Sequence, residues 1–336
     1  MNKFISLSIT GLLFLGFCKK PQTTVYKTIG TIERYDSKLD EIISPNAKIE
    51  IISEGYKWSE GCLWIEKHKM LLFSDVPANT VYQWTEKEGT KVYLKPSGYT
   101  GAKPSTSREP GSNGLTLDNN GNLILCQHGN RQVVRMNAPL HKPNPEFTSL
   151  ISNYNGKKLS SPNDCVYSSK GELYLTDPPY GLPTQSDSDA LKEIKFNGVY
   201  KVKKDGSVIL LTDSINRPNG IALFPDEKRV IVANSDPIKP NWYVWDIKDD
   251  QLTNGKLFYS TIGHDKTWKG LPDGLKIDKN GNVFATGPGG LYIFNKEGKK
   301  LGIIRLDNPT SNCALSQDQK TLYITNNSYV LRVKMR

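Results

Sequence analysis

Four short stretches of this chain each place one oxygen-bearing side chain immediately before an apolar run. The side chains are those of Glu60, Asn163, Asn219 and Asp273, in the stretches EGCLW (60–64), SPND (161–164), RPNG (217–220) and LPDG (271–274). Two carboxylates and two neutral carboxamides suit Ca²⁺, which takes six to eight oxygen ligands at roughly 2.3–2.6 Å. The sequence offers no Cys/His cluster for a softer metal. These residues predict a site for one divalent cation, with Ca²⁺ favoured and Zn²⁺, Mn²⁺ or Mg²⁺ left open.

The elements that position these side chains are predicted from a repeat. Pairs of short runs rich in β-branched and aromatic residues recur six times, with starts about 40 to 57 residues apart, the period of propeller blades. The pairs are 70–74 with 80–84, 121–126 with 132–136, 171–176 with 199–202, 229–233 with 242–245, 281–285 with 291–294, and 321–325 with 330–333. The sequence therefore predicts an all-β fold, a six-bladed β-propeller whose ring gathers the four side chains at one end of its central axis.

The propeller is predicted to span residues 47–336, and the sequence also predicts the roles of the segments around and between its blades. The strand-like run 47–52 precedes the first blade, and we expect it to complete the last blade and close the ring. Residues 36–43 favour a turn or two of helix. The long connections 95–110 and 178–197 are too polar for a core, so we expect them to lie over one end of the propeller as functional loops.

The N-terminal residues 1–18 are typical of an export signal. A positive start is followed by an apolar stretch, 4–17, which is too short to span a bilayer. Cys18 at its end resembles the lipidated cysteine of bacterial lipoproteins, although Phe17 stands where a small residue is usual. The alternative is an ordinary signal peptide that is cut nearby. Either interpretation predicts an exported protein, periplasmic or anchored to a membrane by lipid, with residues 19–46 as tether and lead-in.

The cysteine spacing and the distribution of charge argue against a disulfide-stabilised scaffold and against a nucleic-acid-binding protein. The four other cysteines, Cys62, Cys126, Cys165 and Cys313, show no CxxC spacing, and we expect buried free thiols rather than a disulfide framework. The formal net charge of +10 is spread along the chain. Because no basic run is interleaved with stacking aromatic residues, nucleic-acid binding is not predicted. The oligomeric state is left open.

The order of the four motifs, Glu-Gly-x-x-Trp, Pro-Asn-Asp, Pro-Asn-Gly and Pro-Asp-Gly, resembles that of the senescence marker protein/gluconolactonase family, which includes regucalcin. The resemblance covers roughly residues 53–333. It implies a divalent cation at the propeller centre and, as in many members, hydrolysis of a sugar lactone by an exported bacterial protein. Carried over residue by residue, it implies that the cation is held by Glu60, Asn163, Asn219 and Asp273.

The same resemblance extends to the substrate pocket. Asn113 in GSNG (111–114) and His128 in QHGNR (127–131) resemble segments that line the pocket of bacterial members. His128 either contacts substrate or makes structural hydrogen bonds. Together with Arg131, these polar residues favour a hydroxylated lactone. Cys62 departs from the family pattern, which generally has Pro there, so the turn after Glu60 is less rigid.

The chemistry of a lactonase fits such a site. A Lewis-acidic cation polarises the lactone carbonyl and stabilises the developing oxyanion. Asp273 is the candidate general base, and direct activation of water by the cation is its competitor because a metal-bound carboxylate is a weak base. Two alternatives share the same metal ligands: phosphotriester hydrolysis, and a Ca²⁺-stabilised binding propeller without activity.

Overall fold

Six antiparallel sheets contain nearly all the strands of residues 25–336, the part of the chain that the computed structural model describes. Cys18 and the predicted signal segment lie outside these residues. The described chain begins with β1 (Thr31–Arg34), α1 (Leu39–Ile42) and β2 (Ile49–Glu54). Each sheet that follows is built from consecutive strands, and we number the sheets as blades 1 to 6. The all-β six-bladed propeller predicted from the sequence is confirmed.

The strand bounds show how regularly the repeat is built. Blade 1 comprises β3 (Ser59–Ile65), β4 (Met70–Asp75), β5 (Thr80–Thr85) and β6 (Gly89–Leu94), with a 3₁₀ turn at Glu66–His68. Blade 2 comprises β7 (Ser112–Leu117), β8 (Leu123–Gln127), β9 (Gln132–Met136) and β10 (Phe147–Ile151), and a small hairpin of β11 (Asn153–Tyr154) and β12 (Lys157–Lys158) follows it. Blade 3 comprises β13 (Cys165–Tyr167), β14 (Leu173–Asp177), β15 (Gly198–Val202) and β16 (Val208–Thr212).

The second half of the ring repeats this order. Blade 4 comprises β17 (Pro218–Leu223), β18 (Arg229–Ser235), β19 (Pro240–Lys248) and β20 (Gln251–Ser260). Blade 5 comprises β21 (Leu275–Ile277), β22 (Val283–Gly287), β23 (Gly290–Phe294) and β24 (Lys300–Arg305). Blade 6 comprises β25 (Asn312–Leu315), β26 (Thr321–Asn326) and β27 (Tyr329–Lys334). The first strands of neighbouring blades contact one another in a closed circle around the axis.

Packing between blades explains why the second strand of a blade is apolar along most of its length. Every residue of β4, β8, β14 and β22 is buried, because a neighbouring sheet covers each face. Leu72 of blade 1 and Leu125 of blade 2 belong to one core cluster, and Phe284 of blade 5 and Ile324 of blade 6 belong to another. Each such side chain contributes about 1.5–3 kcal/mol on burial, so the ring is held by the contacts between its sheets.

The N-terminal strand β2 closes the ring. It pairs antiparallel with β27, Ile49 opposite Val333, and so supplies the fourth strand of blade 6, as predicted. The preceding segment packs as well: β1 adds a fifth strand to blade 5, with Thr31 opposite Arg305, and Leu39 of α1 is fully buried. The two ends of the described chain are thereby held together on adjacent blades.

Two further features bear on the expectations from sequence. All four cysteines within the described residues are free and buried, as expected. No helix among residues 25–336 is long and apolar enough to cross a membrane.

Ring closure through β2 predicts a large stability loss from a small change. Ile49 is almost fully buried in the cluster shared by blades 5 and 6, so Ile49→Ala should lower the free energy of unfolding by about 2–5 kcal/mol. Urea unfolding followed by tryptophan fluorescence measures it. The control is Glu54→Ala on the same strand, an exposed position, where a change within about 0.5 kcal/mol is expected. Equal effects of the two substitutions would contradict the closure by β2.

Candidate active site

A circle of hydrogen bonds joins the blades at the inner end of their first strands. From each blade, a hydroxyl or an amide donates to a backbone carbonyl of the next blade, so that the circle runs through all six blades. We call it the inner ring. Its donors and acceptors are Ser74 to Asn113, Gly114 to Asn163, Thr176 to Asn219, Ser235 to Pro272, Thr286 to Ser311, and Ser311 to Ser59.

The inner ring places the candidate ligands. Its carbonyl acceptors include those of Asn113, Asn163 and Asn219, and the carbonyl of Pro272 directly precedes Asp273. A bond of this kind contributes about 0.5–1.5 kcal/mol each, and it fixes the backbone from which the side chain projects. The predicted site residues are therefore attached to a backbone that neighbouring blades hold in place.

Glu60 is positioned by a glycine that no other residue can replace. Gly61 has φ +57°, and a Cβ there would lie 2.0 Å from the carbonyl oxygen of Asn113. The strand bulges at this point, with a register shift between Glu60 and Leu63, and bulges commonly re-aim side chains beside active sites. The Gly61 amide donates to Glu60 Oε2 at 3.1 Å. Gly61 thus turns the carboxylate, while Cys62 is buried.

Two of the carboxamides present oxygens that have no partner among the described residues. The Asn219 amide nitrogen donates to Ser235 Oγ at 2.8 Å, which leaves Asn219 Oδ1 buried without a hydrogen bond. Asn113 Oδ1 is buried and without a partner as well. Since a buried polar atom without a hydrogen bond costs about 1–3 kcal/mol, each of these oxygens is suited to a ligand.

These side chains meet in one cavity of about 360 Å³ at the centre of the propeller. That volume falls within the range of small-molecule sites, about 300–1,000 Å³. Its lining contains every predicted metal ligand together with Asn113, and among the described residues it includes no lysine or arginine. The acidic and amide members of the lining are Glu60, Glu109, Asn113, Asn163, Asn219 and Asp273.

Burial makes the two carboxylates costly to ionise in the absence of a cation. Burial raises the pKa of Glu60 to about 8, and the nearby charges of Asp164 and Glu109 add to the rise. Burial also raises the pKa of Asp273 well above its ordinary range, with Glu60 as the largest charge acting on it. Asp164 and Glu109 disfavour the ionised state of both groups, and Glu60 disfavours that of Asp273. Without a basic neighbour in the cavity, such acidic groups are suited to a divalent cation.

The residues present therefore fit a hard divalent cation. Within residues 25–336 no group of three or more His, Cys, Asp or Glu side chains is arranged to hold a metal ion, and the candidate set combines carboxylates with carboxamides. Oxygen ligands of this mixture are those that Ca²⁺ accepts. The amide oxygens without a partner and the two carboxylates with raised pKa values are the observations on which this fit depends.

A partly buried lysine, Lys276, lies near the two acidic residues Asp164 and Glu60. Lys276 Nζ stands 3.9 Å from Asp164 Oδ2 and donates to Asn312 Oδ1 at 3.4 Å. Asn312 in turn donates to Glu60 Oε2 at 3.4 Å. Burial acts to lower the pKa of Lys276, but Asp164 and neighbouring thiols raise it, and the net shift is upward. Lys276 thus balances the charge of Asp164 and connects to Glu60 through one amide.

Two predicted substrate-contact residues do not reach the cavity lining. His128 is fully buried and lies behind Glu109, with Nδ1 at 3.5 Å from Glu109 Oε2. Arg131 donates from Nε to the carbonyl of Leu159 at 2.7 Å, and its φ of +61° marks it as a turn residue. The structure brings Asn113 to the cavity and places Arg131 away from it.

Sequence reasoning missed two lining residues that come from the long connections. Glu109 lies in the connection between blades 1 and 2, and Tyr180 lies in the connection within blade 3. The signal that pointed to them was the length and polarity of these connections, which were expected to cover one end of the propeller. It gave the location of the loops without indicating which of their residues face the cavity.

Comparison with known proteins gives a consistent result over most of the chain. A family model described as the SMP-30/gluconolactonase/LRE-like region matches residues 58–328. A gluconolactonase of Zymomonas mobilis is 38% identical over 92% of this chain and 87% of its own length. A regucalcin of Xenopus laevis is 26% identical over 83% of this chain and 86% of its own.

Solved structures show the same similarity. The structure of a gluconolactonase from Xanthomonas campestris superposes with a TM-score of 0.80 at 27% identity, covering 93% of this chain and 97% of the other.

The raised pKa of Glu60 predicts how the chelated protein responds to pH. A folded-state pKa above the ordinary value of 4.5 stabilises the fold when the group is protonated. That stabilisation is complete below about pH 4.5 and is lost as the pH rises to about 8. In excess chelator, the melting temperature of the wild type relative to Glu60→Gln should therefore fall between pH 5 and pH 8, by about 2–4 °C for each kcal/mol.

The measurement is differential scanning calorimetry of both proteins at matched pH. Using the difference between them removes the titration of all other groups. Saturating Ca²⁺ should reverse the order at pH 8, because a bound cation favours the ionised carboxylate. A difference that stays constant with pH in chelator would contradict the buried, cation-free carboxylate.

Proposed function

This chain belongs to the SMP-30/gluconolactonase/LRE-like family and is a lactonase, and we propose that it opens a sugar lactone with a divalent cation bound in the central cavity. The cation would be held by Glu60, Asn163, Asn219 and Asp273. The regucalcin relative supports a divalent cation site, and we propose Ca²⁺ because its preferred ligands match this set.

One observation carries the proposal. The buried Glu60 and the partly buried Asp273 share a cavity of small-molecule size with three carboxamides, and the described lining holds no lysine or arginine that would neutralise them. A binding protein for an apolar ligand has no use for such a set, because each buried polar atom without a partner costs free energy. A hydrolytic site that polarises a carbonyl, positions a water molecule and transfers a proton uses such a set of carboxylates and carboxamides.

The chemistry follows from what each part supplies. When bound, a divalent cation supplies Lewis-acid polarisation of a carbonyl and stabilisation of developing negative charge. The Asp273 carboxylate accepts a proton from the attacking water as the oxygen–carbon bond forms. When the ring carbon–oxygen bond breaks, Asp273 returns that proton to the leaving oxygen, and the product is an open hydroxy acid. Water is consumed, and Asp273 ends in its starting state.

Chelation tests the cation. Exhaustive treatment with chelator should abolish hydrolysis of glucono-δ-lactone in a pH-stat assay and lower the melting temperature, because a ligand bound only to the folded state stabilises it by mass action. Adding Ca²⁺ back should restore both, and Zn²⁺, Mn²⁺ and Mg²⁺ are compared at the same free concentration. Full activity with less than a tenth of an equivalent of metal, measured by mass spectrometry, would contradict the proposal.

The same assay separates the alternatives that share this site. Metal-loaded protein that hydrolyses paraoxon and leaves lactones intact would be a phosphotriesterase. Protein that binds the cation and turns over no member of a lactone and phosphotriester panel would be a binding propeller.

Asp273→Asn tests the proton acceptor. The amide keeps an oxygen at the same position but cannot accept a proton, so kcat should fall about 10²–10⁴-fold, the range for general base catalysis. Asp213→Asn is the matched control, since this carboxylate is exposed and lies outside the cavity lining, and it should retain the wild-type rate. Metal content is measured in each protein. A metal-loaded Asp273→Asn variant with wild-type kcat would remove Asp273 from the proton transfer.

A further inference from the structure

Glu109 is a third carboxylate in the cavity, and the proposed hydrolysis does not use it. It reaches the lining from the connection between blades 1 and 2, whereas Glu60 and Asp273 come from the inner ends of their blades. Its side chain is 22% exposed, so a molecule that enters the cavity meets this carboxylate. Glu109 is therefore available for contact with substrate.

Behind Glu109 stands a histidine whose two ring nitrogens make no hydrogen bond within the described residues. His128 is fully buried, and neither ring nitrogen has a hydrogen-bond partner there. Nδ1 lies 3.5 Å from Glu109 Oε2. An unsatisfied buried donor is costly, so a proton on Nδ1 would be stabilised by the carboxylate, and this contact would hold Glu109 beside His128.

The surroundings of His128 keep it in that position. Its backbone amide donates to the carbonyl of Gly111 at 3.1 Å. On the other side, Gly181 approaches so closely that a Cβ there would lie 2.6 Å from His128 Cβ and 2.7 Å from Cγ. His128 is not part of the cavity lining, so its effect on substrate would pass through Glu109.

The neighbours of Glu109 define what it recognises. The described lining holds no lysine or arginine, but it includes the Asn113 carboxamide and the Tyr180 phenol, both capable of hydrogen bonds. A carboxylate only accepts hydrogen bonds, and its two oxygens take them from two adjacent hydroxyl groups. Acidic ligands would be repelled by the same charge. The chemistry that fits is an uncharged, polyhydroxylated ring.

We propose that Glu109, positioned by His128, determines substrate specificity by accepting hydrogen bonds from the ring hydroxyls of the lactone. This inference rests on the proposed function and adds to it the residue that recognises the hydroxyl groups of the sugar lactone. Glu109 contacts substrate at atoms remote from the carbonyl, and His128 is a positioning residue. The cavity then favours hydroxylated lactones over alkyl lactones of the same ring size.

The test compares two six-membered lactones that differ in their hydroxyl groups, glucono-δ-lactone and δ-valerolactone. Glu109→Gln keeps the shape and removes the charge, so kcat/KM for glucono-δ-lactone should fall about 10–100-fold, the range of one to two hydrogen bonds to a charged group. The loss should appear mainly in KM, because the contact is present in ground and transition states alike. The kcat/KM for δ-valerolactone should stay within about two-fold.

His128→Phe tests the positioning role. The substitution fills the buried space and removes the Nδ1 donor, so we expect a loss in the same direction as Glu109→Gln but smaller. In the double variant, the fold-loss in kcat/KM should be smaller than the product of the two single fold-losses, since both substitutions act through one carboxylate. Glu146→Gln is the control, an exposed carboxylate of blade 2, and it should leave both substrates unaffected. Melting temperature and metal content are measured for every variant, and Glu109→Asp provides a second, charge-retaining substitution if Glu109→Gln does not fold.

The possible results distinguish failure of the proposed function from failure of the specificity role of Glu109. Absence of lactone hydrolysis by the metal-loaded wild type would refute the proposed function itself. Wild-type activity with equal kcat/KM for the two lactones would refute the specificity role alone. A parallel loss on both substrates in Glu109→Gln, or a fall in kcat with unchanged KM, would also refute it and would make Glu109 part of the chemical step.

Discussion

The closed circle of hydrogen bonds at the inner ends of the first strands is the constraint on which the site depends. Each blade anchors a backbone carbonyl of the next, and the last blade anchors the first through Ser311 and Ser59. Because β2 completes blade 6, the circle needs both ends of the described chain. Displacing one blade would move the ligand-bearing backbone of its neighbour, so fold stability and site geometry are set by the same contacts.

The circle also concentrates negative charge. Glu60 and Asp164 are buried close to the axis, Asp273 is partly buried beside them, and Lys276 balances the charge of Asp164. In the low dielectric of this interior an uncompensated carboxylate costs several kcal/mol, and the proposed divalent cation would offset that cost. In our proposal Glu109 recognises the substrate, and it lies on a loop between blades 1 and 2 whose sequence can vary without altering the inner ring. Rigid strands thus hold the chemistry, and loops select what enters.

The sequence by itself determined the fold and the position of the candidate ligands. Repeats of strand-like runs specify blades because each run is local and its period is regular, and a side chain at the same place in each repeat occupies an equivalent place in a ring. That symmetry argument is sufficient to bring Glu60 and Asp273 to one end of the axis although more than half the chain separates them. It also identified the closing strand, since the run 47–52 had no partner before the first blade.

Tertiary structure alone decided what lies between these symmetric positions. Glu109 and Tyr180 come from connections without a repeat, so no period indicates which way their side chains point. His128 lies behind Glu109 because Gly181 of another blade covers it, a contact between residues 53 positions apart in the sequence. Arg131 turns away because the hairpin gives it a positive φ. Local patterns specify elements and their order, whereas contacts between loops depend on how the completed ring places them.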